Sequence, residues 1–377
     1  MNPILEGLIS GPTFFLAFLI YLNLSKVNIK ANRWFGTFIL CIFLIQIDTL
    51  FQKSHYFSET SFALEILSVA SLIIAPVFYF SIIYYVDPAR KWKVRDNFHF
   101  SLAILMMGLI ILSQFLVSNE IKTANEKEIE YYTVLIFGIL FCMMVTLYCI
   151  AGYNRIDKYQ KNLYLYSSNT ETTNLNWLKQ ISICVLFLTT IWLADILFQL
   201  SDDYLWYDYF SSLVNFFGIC FIAFYSLKQK EVFPFNKEQT NAINSIITET
   251  FDTEENRKKI ISDEKLAEMK VRLIEIMEKE KPFLDFELSL IKLAGILNTS
   301  PHLLSYSINA GFNENFYQFV NRYRVEEAKK MIIDPKMDHL NLIGIAYEVG
   351  FNSKTVFNTT FKKITNQTPS EFKKGSR

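Results

Sequence analysis

The sequence predicts an all-α protein: a bundle of seven transmembrane helices, then a domain of two helix-turn-helix subdomains joined by a linker helix. Three observations carry this expectation. Seven apolar stretches, at 4–24, 34–52, 62–86, 98–118, 130–152, 175–200 and 205–227, fill the first part of the chain. Each has roughly the 20 residues that a helix needs to cross a hydrocarbon core. A short helix, a tight turn and a longer helix are expected twice, at 288–311 and at 342–364. The formal net charge is zero, yet residues 353–377 hold six Lys or Arg against a single acid, Glu371. The chain divides on these grounds into a membrane domain at 1–227, a linker at 228–263 and a helical domain at 264–377.

Composition supports the membrane half. Charged residues make up 20% and aromatic residues 16% of the chain, whereas soluble domains are about a quarter charged. The first apolar stretch has no Lys or Arg before it and no small-residue cleavage site after it, so it reads as a span rather than a signal peptide. Cys41, Cys142, Cys149, Cys184 and Cys220 all fall inside apolar stretches. They read as small core residues, with no disulfide framework or zinc site.

The loops set an orientation. Those at 25–33, 87–97 and 153–174 hold ten basic residues: Lys26, Lys30, Arg33, Arg90, Lys91, Lys93, Arg95, Arg155, Lys158 and Lys161. The alternate loops and the N-terminus hold three, Lys53, Lys122 and Lys127. The positive-inside rule then puts the N-terminus outside and everything after the seventh span in the cytoplasm. Trp34, Trp92 and Trp177 mark the inner interface; Tyr56, Tyr131, Tyr132, Tyr204, Trp206 and Tyr207 mark the outer one.

Asp48, Glu65, Gln114, Asp195, Gln199, Asp208 and Asn215 map to the outer half or the middle of their spans. Ionisable groups in a bilayer are costly and face a cavity or the bundle interior. Two readings follow. Asp48, Glu65, Asp195 and Asn215 line a ligand pocket open to the outside, or these residues are wet near the interface and bond between helices. Asp195 is the best single ligand candidate, because it sits in the apolar run WLADILF. Pro76 is expected to kink the third span.

Past Pro234, which ends the seventh span, the chain turns polar and reads as a short linker with one helical turn or more at 237–250. Leu266, Met269, Leu273 and Ile276 then recur at helical spacing on one face of 264–281. That face packs on its own domain or pairs with its copy in a homodimer. With fewer than three heptads, the first reading is favoured.

In the first helix-turn-helix, Leu290, Leu293 and Ala294 face inward and Asn298 takes the turn. Ser300 caps the second helix and Pro301 opens it. Leu303, Leu304 and Ile308 are expected inside, and His302, Ser305, Tyr306 and Asn309 form the opposite stripe. The second unit repeats the scheme. Ala346 allows close packing, Gly350 takes the turn, and Ser353 caps the helix. Phe357, Phe361 and Ile364 go inside, while Lys354, Thr355, Asn358, Thr359 and Lys362 point out, with Lys363 beside them. A helix at 314–333 joins the units through Phe316, Phe319, Val320, Tyr323 and Met331, and Asp334-Pro335 stops it. Two such helices can enter successive major-groove segments about one helical turn apart. Lys354, Lys362 and Lys363 suit phosphates, and Asn309 and Asn358 suit adenine edges. The candidate DNA-binding set is therefore His302, Ser305, Tyr306, Asn309, Ser353, Lys354, Thr355, Asn358, Thr359, Lys362 and Lys363.

RYRVEEAKKMI followed by IAYEVGFNSKTVFNTTFKKITNQTPSEF resembles the AraC/XylS family of bacterial transcription regulators. Ala346, Gly350, Phe351, Ser353, Phe357, Phe361, Lys362, Lys363, Thr368, Pro369 and Phe372 stand in the register of that family's C-terminal signature. Asn366 and Asn313 stand where Gly is common, and Thr359 where Arg is common. The layout resembles AraC-type regulators with an N-terminal seven-helix membrane domain. The resemblance implies a one-component sensor: a DNA-binding transcription regulator in the bacterial inner membrane that answers a membrane or extracytoplasmic signal. The expected partners are double-stranded DNA, the lipid bilayer, a small-molecule or membrane signal and a second copy of the chain. The alternative is a receptor or transporter whose cytoplasmic helical domain binds a protein. The sequence contains no HExxH, GxSxG, GxGxxG or P-loop. Neither an enzyme nor a cofactor or metal site is expected.

Overall fold

The computed structural model describes residues 3–22, 28–54, 62–88, 90–116, 126–168, 175–198, 204–227 and 261–376. The described residues are mainly helical and contain no strand, apart from one isolated antiparallel bridge between Ser167 and Ser289. The linker expectations for 228–260, including the helix at 237–250, lie outside these residues, as do Tyr56 and Gln199.

Contacts divide the chain into two units: Met1–Asp157 with Leu175–Pro234, and Lys158–Asn174 with Phe235–Arg377. Helices of the first unit are α1 (Pro3–Leu22), α2 (Ile29–Ser54), α3 (Phe62–Val86), α4 (Ser101–Leu116), α5 (Glu126–Tyr166), α6 (Asn176–Phe198) and α7 (Tyr204–Leu227). Each expected apolar stretch lies on one of them. The described portions of five are long and apolar enough to cross a membrane: Ile29–Phe51, Val69–Val86, Leu135–Tyr166, Asn176–Phe198 and Trp206–Leu227; Ile9–Leu22 is a shorter apolar helix. The α3 helix runs unbroken through Pro76. The core gathers large rings and branched chains, with Phe35, Phe38, Phe78, Phe80, Ile82 and Tyr85 all fully buried. By contrast, Ile136, Leu140, Met143, Leu147 and Ile150 recur every three or four residues along α5 and stand exposed. An outward apolar stripe of that length suits lipid rather than water.

Aromatic residues close one end of this unit. Trp34 stacks on Trp92 at 5.6 Å and 2°, and Trp177 meets Phe35 and Tyr85 edge-on at 6.0 and 5.1 Å. The Tyr85 hydroxyl is hydrogen-bonded to Asn32. Between α3 and α4, the Arg90 guanidinium donates to Asp96 at 2.7 Å. The Lys93 amide donates to the same carboxylate at 2.8 Å. Together they hold the Asp96 carboxyl below its ordinary range.

The second unit contains α8 (Asp263–Lys279), α9 (Leu290–Ile296), α10 (Pro301–Phe312), α11 (Phe316–Ile333), α12 (Leu342–Glu348), α13 (Lys354–Thr365) and α14 (Pro369–Gly375). It has two apolar cores. The first joins α8, α9, α10 and the start of α11 through residues including Met269, Leu273, Leu293, Leu304, Ile308 and Phe319. The second joins the end of α11 to α12 and α13 through Val325, Ala328, Ile345, Ala346, Phe357 and Phe361. Thus α11 is the shared strut, as its apolar spacing predicts. The apolar face of α8 is buried within this unit rather than left open. Residues 158–168, expected to belong with the membrane half, group with this unit.

Candidate nucleic-acid interface

The two helix-turn-helix units are built alike. Ser289 caps α9 by accepting from the Lys292 amide, and Asn341 caps α12 by accepting from the Gly344 amide at 2.8 Å. After each first helix the chain reverses in a left-handed residue, Asn298 at φ 50° and Gly350 at φ 92°. The turn closes with the same bond in both: Thr299 donates to Ala294, and Phe351 to Ala346, each at 2.9 Å. Asn tolerates this conformation because its short polar chain bonds locally. At Gly350 there is a second reason, since an added Cβ would strike Phe283 O and stand 2.9 Å from Arg324 Nε.

The second helix of each pair spans twelve residues. Ser300 accepts from the Leu303 amide and Ser353 from the Val356 amide, filling orphan donors of the first turn. Both helices end on a left-handed Asn: Asn313 at φ 56° and Asn366 at φ 60°. These are the positions where the resembled family commonly has Gly, and the backbone makes the same turn with Asn.

On α10, Asn309 is exposed and His302 and Tyr306 are half-buried. Ser305 corrects the expectation: it is buried, at 4% exposure. Because α10 packs against α8, α9 and α11, its inner arc takes in Leu304, Ser305, Ser307 and Ile308. At about 100° per residue, Ser305 lies on the edge of that arc rather than on the open stripe. On α13, Lys354, Thr355, Thr359, Lys362 and Lys363 are exposed and Asn358 is half-buried. Ser353 is buried and engaged as the cap. Thr359 returns its hydroxyl to Thr355 O at 2.8 Å. Ile364, expected inside, is 37% exposed because it sits one residue before the helix ends. Cation-bearing side chains thus share the outer face of α13 and its C-terminal turn. Below them α14 opens with a capping box between Thr368 and Glu371.

Sequence reasoning missed Arg324. It is 1% exposed, in the middle of α11. Its Nε donates to Phe283 O at 2.7 Å; one terminal nitrogen donates to Asp285 O at 2.8 Å. Its guanidinium also lies 5.7 Å from the Phe351 ring centroid. It therefore joins the segment that leads into the first helix-turn-helix unit to the turn of the second. Burial pulls its pKa down to about 10, still charged at neutral pH.

The candidate ligand residues do not converge to the same degree. Asp48 is buried on α2, and Asn215 donates to Ser211 O of its own helix at 3.0 Å. Asp195 is half-buried on α6. The Glu65 side chain lies outside the described residues. An apolar cavity lined by residues including Phe38, Phe78, Val145, Tyr148, Cys149 and Thr189 has none of Asp48, Asp195 and Asn215 in its wall.

Residues 293–375 match the family model described as the helix-turn-helix domain. An uncharacterized HTH-type transcriptional regulator in the cgkA 5' region of Pseudoalteromonas carrageenovora is 39% identical over 62 residues, which is 16% of this chain and 34% of that protein. The chain therefore spans about a third of the length of this curated relative. No solved structure matches. Matching turns, caps and helix lengths, with the family match over the same residues, make the C-terminal region of this all-α chain a helix-turn-helix domain of the AraC type.

Proposed function

We propose that the chain is a membrane-tethered, sequence-specific transcription regulator that couples a membrane or extracytoplasmic signal to gene expression. The observation that carries the DNA half is the repeated turn-and-cap geometry, which presents α10 and α13 with Asn309, Lys354, Asn358, Lys362 and Lys363 outward. Phosphates would take the lysines and adenine edges the asparagines. The membrane half rests on five helices of crossing length and on the exposed apolar stripe of α5. The basic bias of alternate loops supports an outside N-terminus, with the DNA-reading domain in the cytoplasm. A ligand must favour one arrangement of the bundle to shift the DNA-reading state. Asp48, Glu65, Asp195 and Asn215 are the candidates for receiving it.

The test is capture of random genomic fragments by the full chain in lipid nanodiscs, sequenced at two salt concentrations. Enrichment of a site with two elements about one helical turn apart is expected. If Lys354, Lys362 and Lys363 each neutralise a phosphate, log affinity should fall against log salt with a slope of about −2.7. Retention that is absent, or blind to sequence at both salts, would sink the reading.

Ser353 separates capping from DNA contact. Ser353→Ala should cost about 1 kcal/mol of domain stability through the lost cap. Ser353→Asp should keep the cap and the stability, yet weaken DNA capture, because its carboxylate would face phosphate. Thermal melting alongside fragment capture checks both; equal DNA affinity in the Asp variant would place Ser353 away from the backbone.

A further inference from the structure

The last turns of α5 and the two residues after it are built into the second unit. Tyr164 meets Tyr317 of α11 edge-on at 5.0 Å, and Leu165 packs on the first apolar core. Ser167 pairs with Ser289, the residue that caps α9. Ser168, 1% exposed, is bonded on every side. Its amide and hydroxyl donate to Leu288 O at 3.3 and 2.6 Å. Its carbonyl accepts from Asn321 Nδ2 at 3.1 Å and from Arg324 at 3.2 Å. Its hydroxyl also accepts from Arg324 at 3.0 Å. Arg324 joins the segment before the first helix-turn-helix unit to Phe351 of the second, and two of its five hydrogen bonds end on Ser168, two residues past the end of α5.

We propose that Tyr164–Ser168 is a regulatory clasp that seats Arg324 and so fixes the spacing of α10 and α13 for two-site DNA recognition. The inference rests on the proposed DNA-reading function and adds the route by which α5 acts on it. Closed, the clasp pre-pays the ordering that two-element binding needs. Open, each helix-turn-helix reads its own element, but the two no longer bind as one body, and the gain from linkage falls. The end of α5 is well placed for this, because one continuous helix runs from Glu126 to Tyr166. A shift of its apolar part carries its end along.

The experiment uses the full chain in nanodiscs and the two-element site selected by the wild type, beside a DNA carrying one element. Ser168→Ala should weaken two-element binding about tenfold and leave one-element binding unchanged. A reversible lock guards against misfolding. Ser167 and Ser289 form an antiparallel bridge flanked by the Ser168 N to Leu288 O bond; Cα atoms of such non-hydrogen-bonded pairs lie about 4.5 Å apart, within the reach of a disulfide. Ser167→Cys with Ser289→Cys is added to Ser168→Ala in a chain whose native cysteines are replaced by alanine. Oxidation should restore two-element affinity and reduction should remove it. Equal affinity of Ser168→Ala and wild type, equal loss on both DNAs, or no recovery on oxidation overturns the clasp. If the wild type selects no site, the DNA reading fails, and amide exchange still decides the clasp. Faster exchange in both 283–288 and 349–353 on Ser168→Ala supports it, and unchanged exchange overturns it.

Discussion

Arg324→Ala is expected to destabilise the C-terminal unit by about 3–5 kcal/mol, combining loss of a large buried side chain with orphaned acceptors. The guanidinium occupies the point where residues 283–285, Phe351 and Ser168 meet. Its removal leaves Phe283 O without this donor and opens space behind Gly350, whose backbone comes close to Phe283 O and Arg324. Lysine should not rescue the variant, because a single ammonium cannot reproduce a planar fork that serves several acceptors. Nor should methionine. A buried ion pair can be replaced by apolar residues when both partners go, but here the main acceptors are backbone carbonyls, which substitution cannot remove. Denaturant unfolding of the full chain, followed by amide exchange over residues 261–376, measures the effect. A loss below about 1 kcal/mol for alanine would mean that water or a neighbouring side chain serves these carbonyls equally well.

That Arg324 escaped sequence reasoning has a physical cause. A charge within a helix reads as solvated face, and its backbone acceptors lie 39, 41 and 156 residues away in the chain. Nothing local announces such partners. The turns and caps were legible for the opposite reason. Ser300 and Pro301, Asn298 and Gly350, and Asp334-Pro335 act on backbone groups within four residues. Both cores are likewise legible from apolar spacing in α9, α11 and α13. Where spacing failed, the cause was environment. Ser305 is small and polar but sits at the edge of an arc enclosed by three helices, and Ile364 is apolar but lies at a helix end. The length of α5 was missed because hydropathy falls after residue 152. Its continuation to Tyr166 runs through Lys158, Gln160, Lys161 and Leu163, all good helix formers. Polar composition ended the expected span, not the helix. The same basic residues were counted as a membrane-flanking loop, and their attachment to the C-terminal unit depends on Ser167 and Ser168, which carry no sequence signal. Polarity and depth along a span single out the ligand candidates, and neither says which side chains share a cavity.

Lys354→Ala combined with Asn358→Ala should lower affinity for the two-element site by about 2–4 kcal/mol, roughly 30- to 1,000-fold, at low salt. Two different physical terms are expected. Lys354 stands exposed at the first position of α13, where a cation reaches phosphate. Its loss should weaken binding to all sequences alike and make the salt slope shallower by about 0.9. Asn358 lies one turn further on the outer face and is half-buried, so its amide is better ordered than a free surface chain. If it pairs with an adenine edge, its loss should cost about 1–3 kcal/mol at one base position and relax the sequence preference there only. The single variants therefore separate the roles, with a uniform loss and altered salt slope for Lys354 and a position-specific loss for Asn358. Neither should alter stability by more than about 0.5 kcal/mol, since neither carries a buried contact of the second core. Competition binding on a library randomised at each position of the selected site reads all of this together. If the Asn358 variant lost affinity evenly at every position, α13 would be holding the backbone only, and sequence reading would pass to Asn309, Tyr306 and His302 on α10.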